Sequence, residues 1–189
     1  MAYVVLVSGA GSNLEALIAA DVGKISSVVS DVDCPALAKA EAAGISTRVI
    51  PYRGDRSSFT SEILSEADEA EALVLAGFMQ ILGPQAIARF SNRIVNIHPS
   101  LLPAFPGLEA VAQALTAGVK VTGVTVHFVD EKIDHGPIIA QRTVPVTEDD
   151  NVISLHARIQ HEEHDLYPSV VAALLAGKLH VEGRLVRWS

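Results

Sequence analysis

Asn96 and His98 close an otherwise apolar run, Val95-Asn96-Ile97-His98, and a proline-rich stretch, Pro99-Ser100-Leu101-Leu102-Pro103-Ala104-Phe105-Pro106-Gly107, follows. A spacing of two on an extended strand puts both side chains on one face. Polar groups at the end of an apolar strand are costly unless they are satisfied or used. The prolines stiffen the connection and would hold a site wall with little loss of conformational entropy. Asp134 lies in a second polar stretch, Asp130-Glu131-Lys132-Ile133-Asp134-His135-Gly136-Pro137. Beside His98, its carboxylate would orient the imidazole and favour its charged form, which is acid–base chemistry. Read locally, each has a plainer role as well. Asn96 can cap a loop, His98 can bond a backbone carbonyl, and Asp134 suits a Gly-Pro turn. His127, on the preceding alternating segment, fits a satisfied core histidine or a site wall, with the wall favoured.

A different chemistry is suggested near the start. Ser8-Gly9-Ala10-Gly11-Ser12-Asn13-Leu14 follows an apolar run and precedes an Ala-rich segment. Glycines allow a sharp turn, and the next helix would offer unpaired N–H groups and a positive dipole end to an anion. Ser12 and Asn13 can cap that helix or donate to phosphate oxygens. The third glycine of a dinucleotide fingerprint is replaced by Leu14, and no Walker lysine is present. A tight turn with an ordinary N-cap accounts for the loop equally well.

The elements that must position these groups alternate. Strands are expected at Tyr3–Val7, Ile25–Val29, Thr47–Ile50, Ala72–Ala76 and Arg93–Ile97. Helices are expected at Asn13–Ala20, Pro35–Ala43, Ser57–Asp68 (with Ser57 or Ser58 as cap) and Pro84–Arg89. This order predicts βαβ units and an open, mostly parallel twisted sheet of Rossmann-like type, with helices on both faces. Val119–Val129 and Pro137–Val146 then read as an antiparallel extension. Asn151–Ala176 reads as a long helix bent or interrupted near Pro168, and Lys178–Arg187 as a closing hairpin around Glu182-Gly183. The carboxyl ends of parallel strands are where such sheets bind ligands.

Composition narrows the partners. Among 189 residues, 14 Lys and Arg face 22 Asp and Glu, a formal charge of -8. That balance argues against polyanionic partners, whose binding needs clustered positive charge, but not against a small anion held locally. The mean hydropathy of +0.33 is high, yet no run approaches the ~20 apolar residues of a membrane helix. Strands buried on both faces explain it better. Met1–Val7 is too short and uncharged for a signal peptide. The single cysteine, Cys34, excludes an internal disulfide and a CxxC site, and it fits a reducing cytoplasm.

The chain resembles the phosphoribosylglycinamide formyltransferases, folate-dependent enzymes of purine synthesis. The motifs are Ser8-Gly-Ala-Gly-Ser-Asn-Leu14, Leu75-Ala-Gly-Phe-Met-Gln-Ile-Leu82, Asn96-Ile-His-Pro-Ser-Leu-Leu-Pro103 with Pro106-Gly107, and Asp134-His-Gly-Pro137. The likeness extends through Gln160-His-Glu-Glu-His-Asp-Leu-Tyr-Pro168. It implies Asn96, His98 and Asp134 as catalytic residues, with Asn96 also contacting the folate. It implies Gly11, Ser12, Asn13 and Glu163 as contacts to phosphoribosylglycinamide. Arg56 and the segment Met79, Gln80, Ile81 and Leu82 are implied to hold 10-formyltetrahydrofolate, the co-substrate. The family often has Arg where this chain has Gln80, and a small residue where it has His135.

The implied reaction is attack of the glycinamide amine on the formyl carbon, through a tetrahedral intermediate stabilised by Asn96 and a protonated His98. Proton transfer would involve Asp134. An activated formamide, an amine and an acid–base pair suffice, so no metal is implied. His161 and His164, with Glu162 and Glu163, form the nearest metal-like cluster and read better as an exposed helix face. Expected partners are small molecules, with neither nucleic acid nor membrane; the resemblance leaves room for a homodimer, and the cytoplasm is the expected location. One domain spanning 1–189 is expected. A formyltetrahydrofolate hydrolase shares the trio but usually adds an N-terminal regulatory domain, and a methionyl-tRNA formyltransferase adds a C-terminal RNA-binding one. A non-catalytic nucleotide-binding module using the glycine loop alone leaves the Asn96–His98 pair unexplained.

Overall fold

Seven strands form one sheet in a computed structural model describing residues 1–189. They are β1 (Ala2–Val7), β2 (Lys24–Ser30), β3 (Thr47–Val49), β4 (Ala72–Leu75), β5 (Ile94–His98), β6 (Val121–Phe128) and β7 (Ile138–Pro145). The order is β3-β2-β1-β4-β5-β6-β7. The first five are parallel to one another, β6 is antiparallel to β5, and β7 is antiparallel to β6. The expected parallel sheet with an antiparallel extension is therefore present. The strand order reverses between β1 and β4, which opens a crevice at their carboxyl ends.

Alternation along β1 shows why the hydropathy is high. Tyr3, Val5 and Val7 enter a core of 28 buried residues on one face, and Val4 and Leu6 enter a core of 13 on the other. The larger core is covered by α1 (Ser12–Ala19), α2 (Pro35–Ala42) and α6 (Val152–Leu175), the smaller by α3 (Arg56–Glu66) and α4 (Pro84–Arg89). Tyr167 of α6 is fully buried, and its hydroxyl lies 2.7 Å from the Leu75 carbonyl and 3.1 Å from that of Val95. It thereby pins the long helix beneath the ends of β4 and the middle of β5. No helix is long and apolar enough to cross a membrane.

Three local expectations change. Helix α3 is capped by Asp55, which accepts from the N–H groups of Ser57 and Ser58, so the serines lie inside the helix. The aspartate reaches two of the orphan donors at once. Helix α6 runs without a break through Pro168, with Asn151 capping it in a reciprocal pair with Ser154. A further helix, α5 (Ala110–Ala117), was not expected; it starts after Glu109 at φ 58 with no side-chain cap, so no start signal marks it. The closing hairpin, β8 (Leu179–Glu182) and β9 (Leu185–Trp188), packs on β7 as Trp188 Nε1 donates to the Ile139 carbonyl.

Candidate active site

Asn96 and His98 lie at the carboxyl end of β5, and Asp134 is carried to them by the β6–β7 connection. The Asn96 Nδ2 is 3.4 Å from Asp134 Oδ1, and His98 Nδ1 is 3.3 Å from Asp134 Oδ2. The backbone N–H of Gly107 donates to Asp134 Oδ2 at 2.8 Å. Asp134 holds φ 47, a left-handed backbone that Asp tolerates better than most residues. The connection is fixed by Gly136, where an added Cβ would lie 1.9 Å from the Phe128 carbonyl oxygen. Burial pushes the Asp134 carboxyl up, but hydrogen bonding to His127 and Gly107 and the nearby imidazoles of His98 and His127 outweigh it. The carboxyl sits below its ordinary value.

His127 completes the cluster. It pairs directly with Asn96 across β5 and β6, so their side chains meet on one face. A register shift at Val126/His127 against β7 adds a local irregularity that can aim the ring. Its Nδ1 lies 2.7 Å from the Phe128 carbonyl, which can only accept, so that nitrogen carries the proton. Its Nε2 lies 3.2 Å from Asn96 Nδ2 and 3.6 Å from Asp134 Oδ1. Asp134 Oδ1, which as a carboxylate oxygen only accepts, sets which way the Asn96 amide points. His98 differs: its Nε2 faces the Phe105 carbonyl at 2.8 Å and its Nδ1 faces Asp134. Both partners accept, an arrangement that an imidazolium satisfies on both sides.

The glycine loop forms a helix N-terminus. Gly11 is the N-cap of α1 at φ 77, and a Cβ there would lie 2.6 Å from that of Ala36. The N–H of Glu15 bonds to the Gly11 carbonyl, which leaves the amides before it without a helical partner. No side chain caps this helix, contrary to the capping role open to Ser12 and Asn13. Asn13 is buried and its Nδ2 donates to the buried Glu163 of α6 at 2.9 Å, while its Oδ1 has no partner. Two residues 150 apart in sequence are therefore adjacent.

Burial raises the Glu163 carboxyl above its ordinary value, against the Asn13 hydrogen bond and nearby histidines that lower it. A carboxyl raised on folding contributes stability below the unfolded value, and that contribution is lost as pH rises through the folded one. Glu163→Gln keeps an acceptor for Asn13 without the buried charge. Its thermal midpoint at pH 7–8 is expected to exceed the parent's, with the gap closing below pH 4.5, the ordinary value of this side chain. Melting curves across that range check it.

The β4–α4 connection supplies the second wall. Met79 is 62% exposed and Ile81 46%. The N–H of Met79 is taken by Ser8 Oγ, whereas those of Gln80, Ile81 and Leu82 enter no hydrogen bond within the protein. Arg56 opens α3, is exposed and forms no ion pair. Its turn is joined to this wall: Thr60 Oγ donates to the Arg56 carbonyl and accepts from the Gly83 N–H. Phe59 stacks on Phe78 with ring centroids 6.2 Å apart. His135 turns away from Asp134, its Nδ1 on Asp130 at 2.7 Å, and Arg184 donates to its carbonyl. The α6 histidines and acids do not gather into a group of three that could hold a metal ion.

The sequence profile described as "Formyl transferase" matches residues 1–171. The chain belongs to the formyltransferase family. Within it, the phosphoribosylglycinamide formyltransferase of Bacillus subtilis (strain 168) is 39% identical over 183 residues, covering 92% of this chain and 94% of that protein. The crystal structure of glycinamide ribonucleotide transformylase 1 from Symbiobacterium toebii superposes with a TM-score of 0.96 at 41% identity, covering 100% of this chain and 93% of that one. A formyltetrahydrofolate deformylase from Pseudomonas syringae pv. tomato is also similar, at TM-score 0.90, but with 28% identity and 65% of its chain covered. The formyltransferase fold is thus shared more widely than one acceptor, and the acceptor must be read from the walls around Asn96, His98 and Asp134.

Proposed function

We propose that this formyltransferase moves the formyl group of 10-formyltetrahydrofolate to the glycinamide amine of N1-(5-phospho-D-ribosyl)glycinamide, a step of de novo purine biosynthesis. The observation that carries this reading is the Asn96–His98–Asp134 cluster set between two walls of different character. One wall is a helix N-terminus at Gly11, Ser12 and Asn13, which suits the nucleotide phosphate. The other is the run of unpaired amides from Gln80 to Leu82, which suits the polar edge of a pterin, with Arg56 one helical turn before Thr60, the residue that holds Gly83. Glu163 stands beside Asn13 on the nucleotide side.

In this scheme Asn96 donates one amide hydrogen to the formyl oxygen as it takes up charge. Its other is engaged by Asp134. His98 supplies positive charge to the same tetrahedral centre, balanced by Asp134. The amine proton passes through His98 and Asp134 to the departing folate nitrogen, with a water as relay. The Phe105 carbonyl lies 2.8 Å from His98 Nε2 and holds the ring in place from that side. We place the enzyme in the cytoplasm and read residues 1–189 as one domain.

The likeness to the Pseudomonas deformylase supports a second reading, in which water accepts the formyl group. Purified protein with 10-formyltetrahydrofolate separates the two when tested with the nucleotide, with methionyl-tRNA, and with no acceptor. Folate product is expected only with the nucleotide. Equal product without any acceptor would establish the hydrolase instead.

A further inference from the structure

Asp31, just past the end of β2, is 6% exposed and lies among no catalytic residues, yet both its carboxylate oxygens are engaged. Oδ1 accepts from the Ser8 hydroxyl at 2.6 Å, and Oδ2 accepts from Gln80 Nε2 at 2.8 Å. Ser8 Oγ in turn accepts from the Met79 N–H at 2.9 Å. The Ser8 N–H donates to the Gly77 carbonyl at 3.1 Å. Ser8 begins the loop assigned to the nucleotide, and Met79 and Gln80 begin the segment assigned to the folate. Asp31 is paired with no cation. A buried carboxylate held only by neutral donors is costly, and neither the core nor the catalytic cluster accounts for it.

We infer that Asp31 is a positioning residue that ties the folate segment to the nucleotide loop and sets how the segment's first two residues face the folate. A carboxylate accepting the Ser8 proton strengthens Ser8 Oγ as an acceptor for Met79. With the Met79 N–H spent, the reading edge begins at Gln80. With its side chain drawn onto Asp31, Gln80 presents its backbone to the folate and not its amide group. Position 80 consequently contributes shape and not charge to folate recognition in this chain. This inference rests on the proposed substrates, and the affinity measurement below tests it independently of which acceptor is used.

The test uses the full-length protein with Asp31→Ala, Asp31→Asn and Gln80→Leu. Folate affinity is measured by titration with 10-formyltetrahydrofolate, alongside KM, kcat and thermal midpoint. Asp31→Ala is expected to weaken folate binding and raise its KM about 10-fold, the loss of one or two hydrogen bonds to a charged acceptor. Its kcat should change less than about 3-fold, because the Asn96–His98–Asp134 geometry is untouched. Asp31→Asn should restore folate affinity to within about 3-fold of the parent, since the Gln80 amide can turn over and accept from the new side chain. Gln80→Leu removes only the folate-side half; it should raise folate KM and lower the thermal midpoint somewhat, because the buried Asp31 Oδ2 loses its one donor. A folate affinity within 2-fold of the parent in both Asp31→Ala and Gln80→Leu overturns the inference. So does an Asp31→Asn protein as impaired as Asp31→Ala. Should Asp31→Ala fail to fold, Gln80→Leu and Asp31→Asn decide by the same criteria. A parent that binds folate but shows no transfer to the nucleotide overturns the proposed function and leaves these affinity comparisons intact.

Discussion

Asn96→Ala is expected to lower kcat about 10²- to 10³-fold, the usual cost of removing one oxyanion donor. Nucleotide affinity should stay within about 2-fold of the parent, because the glycine loop and Glu163 are left in place. The structure explains why the loss should be large. The Asn96 amide is oriented by Asp134 Oδ1 at 3.4 Å, and the His127 imidazole beside it is fixed through the Phe128 carbonyl. A donor oriented in advance costs no reorganisation when charge develops, and this is what alanine removes. Steady-state kinetics with equilibrium binding of the nucleotide checks it; a variant within a few-fold of the parent would assign Asn96 a structural role.

Asp134→Asn is expected to lower kcat about 10²- to 10⁴-fold, the range for a lost acid–base group. Asparagine suits the left-handed backbone at φ 47 and preserves an acceptor for the Gly107 N–H, so the loop should keep its shape. What disappears is the charge opposite His98 Nδ1. Stability should respond in a definite sense as well. The Asp134 carboxyl is depressed on folding, so its contribution is present above the unfolded value and lost as pH falls through the folded one. The thermal midpoint of Asp134→Asn should therefore fall less than the parent's as pH is lowered from 5 through the ordinary value of 3.8. Parallel acid melting curves would count against the shift.

Much of the fold was legible because hydrophobic patterning carries it. The strand runs from Tyr3 to Ile97 and the helices between them are continuous in the sequence, and the antiparallel pairing of β6 with β7 follows from the turn-length connection between them. Asn96 and His98 were legible as a pair through their spacing of two on an apolar strand. Asp134 was weaker, since an aspartate in a Gly-Pro turn is ordinary until the β5–β6 pairing brings it beside His98. His127 was open for the same reason: its role is set by its register opposite Asn96, and register is a long-range property. Asp31 gave no signal, and Ser8 none beyond opening the glycine loop; the bond between them exists only because β1 and β2 are neighbours. Helix α5 escaped because nothing caps it, and Asp55 because the serines after it satisfy the same pattern.

The central claim is that this formyltransferase site passes the formyl group to a nucleotide amine and not to water. The most direct test follows the fate of the formyl carbon in 10-formyltetrahydrofolate labelled at that position, with the purified protein and saturating phosphoribosylglycinamide. The account predicts that label leaving the folate appears in the formylated nucleotide in a one-to-one ratio with tetrahydrofolate, and that label release stops when the nucleotide is withheld. Free labelled formate accumulating at the same rate with or without the nucleotide would contradict it.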